Sequence, residues 1–454
     1  MANKNVTEEN KLGTLSIERL LRTYSIPAIV GTMVSSLYNI IDRIYIGFGV
    51  GSMAISGLAL TFPFMNLLSA FSMLVGAGAA SRISIRLGEG DKERAEKILG
   101  NAFTLTVIIS AVIITFSMIY MNPILMLFGG SENTLKYARD FMNIIIPGTM
   151  LSALLFGFNN IMRASGYPKK AMITMIISAI INIALAPIFI FVFKMGIAGA
   201  AIATIIAFSV GMIWVILHFV NKKTNIRFHR KNFKLDKEIV KSILNIGMSP
   251  FTIQIAASIT VILINRALLK HGGDLAIGAL GIQNAVVTLF IMFIIGLNQG
   301  VQPIVGYNYG ARNYDRMFHA VRLTAIIATI VATIGFVMGV FFPHVLVKMF
   351  TNDQQLVEMS AHALKISVIM FPLVGSQVVL TNFFQFIGRA KISMLLSLIR
   401  QILFLIPCLL ILPNIFGLDG VWGSMPVSDF LSVIVTAITF FVFFRNFKRE
   451  NRLA

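Results

Sequence analysis

Apolar residues in this chain gather into long runs separated by short polar loops. The runs cover residues 22–48, 54–87, 98–121, 135–160, 171–193, 198–220, 242–269, 276–309, 320–343, 358–386, 392–416 and 421–444. Each is long enough to cross a bilayer as a helix, which takes roughly 20 residues. The pattern therefore predicts an all-α integral membrane protein with twelve transmembrane helices. Residues 1–11 are polar and carry no cleavable signal pattern. After them Leu12, Leu15, Ile17, Leu20 and Leu21 alternate with Glu18, Arg19 and Arg22, which suits a short helix on the membrane surface leading into the first span.

The runs repeat with a period of about 222 residues. Ala54-Ile55-Ser56-Gly57-Leu58-Ala59 returns as Ala276-Ile277-Gly278-Ala279-Leu280-Gly281. Gly88 and Arg94 match Gly310 and Arg316, and Gly166 and Lys169 match Gly388 and Lys391. Ile41-Asp42-Arg43 returns one register later as Ile264-Asn265-Arg266. The expected organisation is an N-terminal segment (1–21), a six-helix lobe (22–220), a basic linker (221–241), a second six-helix lobe (242–444) and a tail (445–454). Because six is even, the lobes enter the membrane in the same orientation, as a pseudo-symmetric parallel repeat about the membrane normal. Two such bundles enclose a central cavity, and rocking them opens it to alternate sides.

Composition agrees: 57% of residues are hydrophobic, 13% are charged, and the mean hydropathy is +0.83. The net charge of +19 invites a nucleic-acid reading, but the basic residues sit in every second loop. Arg82, Arg86, Lys92, Arg94 and Lys97 lie on one side, with Arg163, Lys169 and Lys170, the linker, Arg312, Arg316, Arg322, Arg389, Lys391 and the tail. Only Lys136, Arg139, Lys194, Lys270 and Lys348 lie on the other. By the positive-inside rule both termini are expected in the cytoplasm, with no nucleic-acid partner. The single cysteine, Cys408, allows no disulfide framework. The six histidines are scattered, and no Walker loop, nucleophile elbow or paired-carboxylate site stands out, so the chain reads as no enzyme, without cofactor. Active transport then has to draw on an ion gradient.

An ionisable group inside a span costs roughly 2.5–3.5 kcal/mol on insertion scales, so each one needs a reason. Asp42 lies in the first span, with Tyr38 and Asn39 four and three residues before it and within hydrogen-bonding reach on one helical face. It can exchange a proton or coordinate Na⁺; the alternative is a residue of the outer interface, with Arg43 snorkelling beside it. Asp429, about one-third of the way along the last span, is the only other acid set well into a span, and its plainer reading is structural. Arg400, beside Gln401, is roughly 14 Å inside its span. It is a positive group of the cavity, the partner of an acid, or a snorkelling helix end. Prolines at 27, 63, 147, 187, 250, 303, 372 and 407 are candidate hinges or static kinks.

The segments Ile41-Asp42-Arg43-Ile44-Tyr45-Ile46-Gly47, Gly76-Ala77-Gly78-Ala79-Ala80-Ser81 with Leu87-Gly88-Glu89-Gly90-Asp91, and Asn182-Ile183-Ala184-Leu185-Ala186-Pro187 with Gly196 to Thr204 resemble the multidrug and toxic compound extrusion (MATE) family. The likeness covers residues 15–445 and is nearest the MepA-like bacterial branch, through Arg400-Gln401 and the Ile406-Pro407 to Pro413 run. It implies an inner-membrane antiporter, monomeric and lipid-embedded, that exchanges H⁺ or Na⁺ for small lipophilic cationic drugs. It also implies an ion site at Asp42, Asn182 and Thr204, where Na⁺ would bind if Na⁺ is the coupling ion. The family commonly has an acid where this chain has Ala186, a departure that leaves Asp42 as the main titrating group. Acids carried by some branches in the second lobe are replaced in the neighbourhoods of Gln254 or Ser258 and Ser376 or Gln377. Gln254, Gln377, Arg400 and Asp429 are the substrate-cavity candidates. The rival readings are a lipid-linked saccharide flippase, which needs a strongly basic cavity, and a multispan membrane transferase, which needs a His/Asp cluster.

Overall fold

A computed structural model describes residues 8–127 and 132–451. A short helix α1 (Glu8–Thr14) precedes α2 (Ile17–Gly49), α3 (Ser52–Gly88), α4 (Lys92–Leu127) and α5 (Glu132–Ala164). Then come α6 (Pro168–Pro187), extended by a π-helical turn over Ile188–Val192, and α7 (Gly196–Val220). The second half holds α8 (Lys237–Gly310), α9 (Tyr314–Phe341), α10 (Pro343–Lys348), α11 (Gln354–Ser367) and α12 (Phe371–Phe386). It closes with α13 (Ala390–Leu398), a π-helical turn over Ile399–Leu405, and α14 (Ile406–Asn451).

Ten of these helical stretches are long and apolar enough to cross a membrane, counting α8 as two because Gly273 (φ 66°, ψ −163°) breaks it, and α11 with α12, bent by 55°, make an eleventh. The stretch Ala390–Asn451 is itself two spans, because Gly417 (φ 57°, ψ −133°) breaks it. Twelve spans result, as expected from the apolar runs, and the fold is all-helical among the described residues. Several ends follow from local chemistry. The Ser16 hydroxyl accepts from Arg19 N–H at the start of α2, and the Asp236 carboxylate accepts from Glu238 and Ile239 N–H at the start of α8. The span starts do shift: α2 begins at Ile17 rather than 22, its first turn lying in the buried core. Arg163, expected in a loop, ends α5 with 6% exposure and donates to Asn160.

The duplication reaches the backbone. Left-handed residues recur at the same turns of both lobes: Gly51 with Gly273, Gly90 with Arg312, Gly166 with Gly388, and Gly196 with Gly417. Each reverses the chain between two spans, where a side chain is disfavoured. Both lobes also place a π-helical turn in their fifth span, next to Pro187 in one and Pro407 in the other. A proline removes a backbone donor, and the wider turn absorbs the loss.

The lobes meet at the end of the bundle that carries the basic loops. A Cβ on Gly88 would strike the Tyr307 carbonyl, and one on Gly247 would strike that of Leu74, so backbones there touch directly. Gln302 Nε2 donates to Ser81 Oγ across the same seam at 2.9 Å. One turn further from the basic end, Phe71 and Phe251 pack with centroids 4.9 Å apart.

Two polar segments cross that end. Asn308 Nδ2 and Arg316 Nη2, on α8 and α9, donate to the Leu12 carbonyl, each at 3.3 Å, so the segment preceding the first lobe is held by the second. The linker does the reverse. Asn101 on α4 donates to the Asn232 and Lys234 carbonyls and accepts from Asp236 N–H, while Thr104 donates to the Phe233 carbonyl. Phe103, Phe228 and Phe233 pack edge and face beneath it.

Candidate functional site

Three helices of the first lobe build the site around Asp42. Along α2 and α6, Ser35 Oγ contacts Met175 Sδ at 3.7 Å, and Gly49 lies so close to Ile190 that a Cβ would not fit. The two helices run side by side with matched rise, which brings Asp42 level with Asn182. From α7, Thr204 Oγ1 accepts a hydrogen bond from Asn182 Nδ2 at 3.0 Å and donates to the Ala200 carbonyl. Asn182 is 1% and Thr204 9% exposed. On one side of this layer, Tyr38 shares a buried cluster with Met175, Ala179 and Phe208; on the other, Ile46 shares one with Ala186, Ile190 and Ala200. The polar layer is thus sealed between two apolar ones, and Ala186 contributes only packing to the second.

The expected hydrogen bonds to Asp42 are not formed. Asn39 is exposed and donates instead to the Ser35 carbonyl at 2.7 Å, the ordinary outlet for a helical Asn without a better acceptor. Tyr38 is buried in the apolar layer. Asp42 Oδ1 is buried without a partner, and so is Asn182 Oδ1. Arg43, next in sequence, lies over the Phe62 ring, 5.7 Å from its centroid. Among the described residues Asp42 has no ion-pair partner. An unpartnered acceptor oxygen on a half-buried carboxylate is one that a proton or a metal cation completes.

The second lobe is different. Arg400, in the π-helical turn after α13, donates from Nε to Asp429 Oδ1 on α14 at 2.7 Å. Ser428 Oγ donates to the Arg400 carbonyl at 2.8 Å, tying the same two elements again. The Asp429 side chain is 8% exposed and that of Arg400 37%. Of the three readings of Arg400, the acid partner is the one realised. Helical spacing gave no sign of this, because the partners stand 29 residues apart on different spans. Gln377 is 5% exposed with Oε1 unpartnered, whereas Gln254 is half-buried on α8. Neither is joined to the ion pair by a hydrogen bond among the described residues. No group of three or more His, Cys, Asp or Glu suited to a metal occurs among them.

Two parallel six-span lobes meeting at one end, with an acid set well into a span of one of them and no ion-pair partner for it among the described residues, are the build of a two-lobed membrane transporter. The chain belongs to the MatE family, whose model matches residues 27–188 and 248–410, one stretch in each lobe. It is thus a multi-pass membrane transporter and not an enzyme, and the resemblance read from its motifs holds. Multidrug export protein MepA of Staphylococcus haemolyticus (strain JCSC1435) is 28% identical over 438 residues, 96% of this chain and 95% of that protein. The protein of the same name from Staphylococcus aureus (strain MSSA476) is 28% identical over 415 residues, 91% of each. A solved structure of the MATE multidrug transporter DinF-BH superposes with a TM-score of 0.90 at 37% identity, covering 96% of this chain and 98% of that one. An outward-facing MATE family transporter of the MOP superfamily has the same fold, with a TM-score of 0.91 at 23% identity over 98% and 99% of the chains.

Proposed function

We propose that this protein is a multidrug exporter of the bacterial inner membrane, exchanging protons for amphipathic organic cations by alternating access. The observation that carries this reading is the unpartnered Asp42 carboxylate level with the Asn182–Thr204 pair. A proton on Asp42 turns one of two orphan acceptors into a donor, so a single ion satisfies the layer. Na⁺ needs several oxygens, and with Ala186 in place of an acid the layer offers fewer of them. The basic loops at the end where the lobes meet support cytoplasmic termini and a cavity facing outward. The Phe71–Phe251 pair, packed between the lobes beside their seam, suits a flat lipophilic cation.

The flippase reading needs surplus positive charge in the cavity, and Asp429 already neutralises Arg400. The test is reconstitution in liposomes with ethidium as cargo. A pH gradient alone should drive uptake, a Na⁺ gradient alone should not, and Asp42→Asn should lower the rate tenfold or more, roughly the scale of a 1–3 kcal/mol coupling. Wild-type rates in Asp42→Asn would remove Asp42 from the mechanism. Transport driven by Na⁺ alone would make Na⁺ the coupling ion.

A further inference from the structure

The docked linker encloses a cavity of about 460 Å³ against the basic start of α4, far from Asp42. Its walls carry both signs of charge, but the acids are already engaged. Glu96 Oε2 pairs with His229 Nε2 at 3.0 Å, and its Oε1 accepts from Arg227 N–H at 3.3 Å. Glu93 is shared by Lys97 at 3.2 Å and Lys231 at 4.0 Å. Lys92, Lys222 and Arg227 also line the cavity; among the described residues none of the three pairs with a carboxylate, and the Arg227 guanidinium donates from Nε to His229 Nε2 at 3.3 Å. Asn232, 3% exposed, forms part of the wall. A polar cavity lined by four Lys and Arg side chains against two engaged glutamates is complementary to an anion with several acceptor oxygens.

Its surroundings narrow the ligand further. Lys222 lies two residues beyond the end of α7, where Leu217 and Val220 are 60% and 59% exposed. A phosphate held here therefore has an apolar, bilayer-facing helix surface within one turn of it, at the depth where basic residues flank a span. We infer that the linker cavity binds the phosphate group of an anionic phospholipid, with its acyl chains along the end of α7. Because the linker supplies most of the cavity and the start of α4 the rest, such a ligand fastens the linker to the first lobe.

Thermal unfolding of the purified full-length protein in detergent tests this, titrated separately with phosphatidylglycerol, phosphatidylcholine and glycerol 1-phosphate. Phosphatidylglycerol should raise the midpoint saturably and phosphatidylcholine should not. Lys222→Gln and Arg227→Gln should each weaken the effect about fivefold, the worth of one basic residue near an anionic headgroup. Lys222→Arg should keep it, and Lys348→Gln, at the opposite end of the bundle, should leave it untouched. Competition by glycerol 1-phosphate would support a site for the phosphate group whatever carries it; its failure to compete would support one that also needs the acyl chains. No saturable shift in the wild type, an equal shift with phosphatidylcholine, or an unchanged shift in both Gln variants overturns the inference.

Discussion

At the scale of single residues, the two intramembrane acids have opposite fates. Asp42 has a buried Oδ1 without a hydrogen-bond partner, whereas Asp429 has Arg400 at 2.7 Å. An ion pair in an apolar setting is not strongly stabilising in net terms, but removing one partner leaves the other stranded. Since the Arg400 side chain is 37% exposed, solvent and headgroups relieve part of that penalty. Arg400→Met or Asp429→Asn alone should destabilise the protein by about 1–3 kcal/mol, and the double variant by less than the sum of the two. Midpoints of thermal unfolding in detergent for the four proteins give the coupling directly, and strict additivity would show that the pair contributes nothing. Scarcity made both acids visible in the sequence. Which one is paired was not visible, because the pairing joins residues on different spans.

At the scale of elements, the helices carry information that span lengths do not. Apolar run length located every span, since a bilayer needs a helix of nearly constant length. The 55° bend between α11 and α12 was outside its reach. So were the two π-helical turns, although Pro187 and Pro407 beside them were read as candidate hinges. Pro147 shows why proline alone does not decide: α5 runs through it unbroken, while the equivalent part of the second lobe bends. The glycines of the lobe seam make a sharper case. Gly247→Val puts a branched side chain where the Leu74 carbonyl lies, so the lobes can no longer close at the basic end. The variant should insert and bind ethidium, yet transport it at least about tenfold more slowly. Membrane abundance and dye flux measured together check this, and normal flux would mean that the seam does not have to close.

At the scale of the whole molecule, the lobes are fastened by reciprocal straps. The segment before the first lobe is held by Asn308 and Arg316 of the second, and the linker before the second lobe is held by Asn101 and Thr104 of the first. A polar linker in a membrane protein reads as a tether, and only the tertiary contacts make it a clamp. Asn101→Ala removes three hydrogen bonds to the linker at once and should cost about 1–3 kcal/mol of local stability. Hydrogen exchange across residues 230–236 should quicken accordingly while the Asp42 layer keeps its protection; unchanged exchange would show that the aromatic packing beneath holds the linker by itself. The sequence by itself determined the spans, their duplication, the side with the basic loops and the lone acid of the first lobe, because these follow from transfer free energies that act residue by residue. Tertiary structure alone decided that Asn39 turns away from Asp42, that Arg400 neutralises Asp429 and that each lobe holds the other's leading segment, because those outcomes depend on which distant side chains share one dry volume.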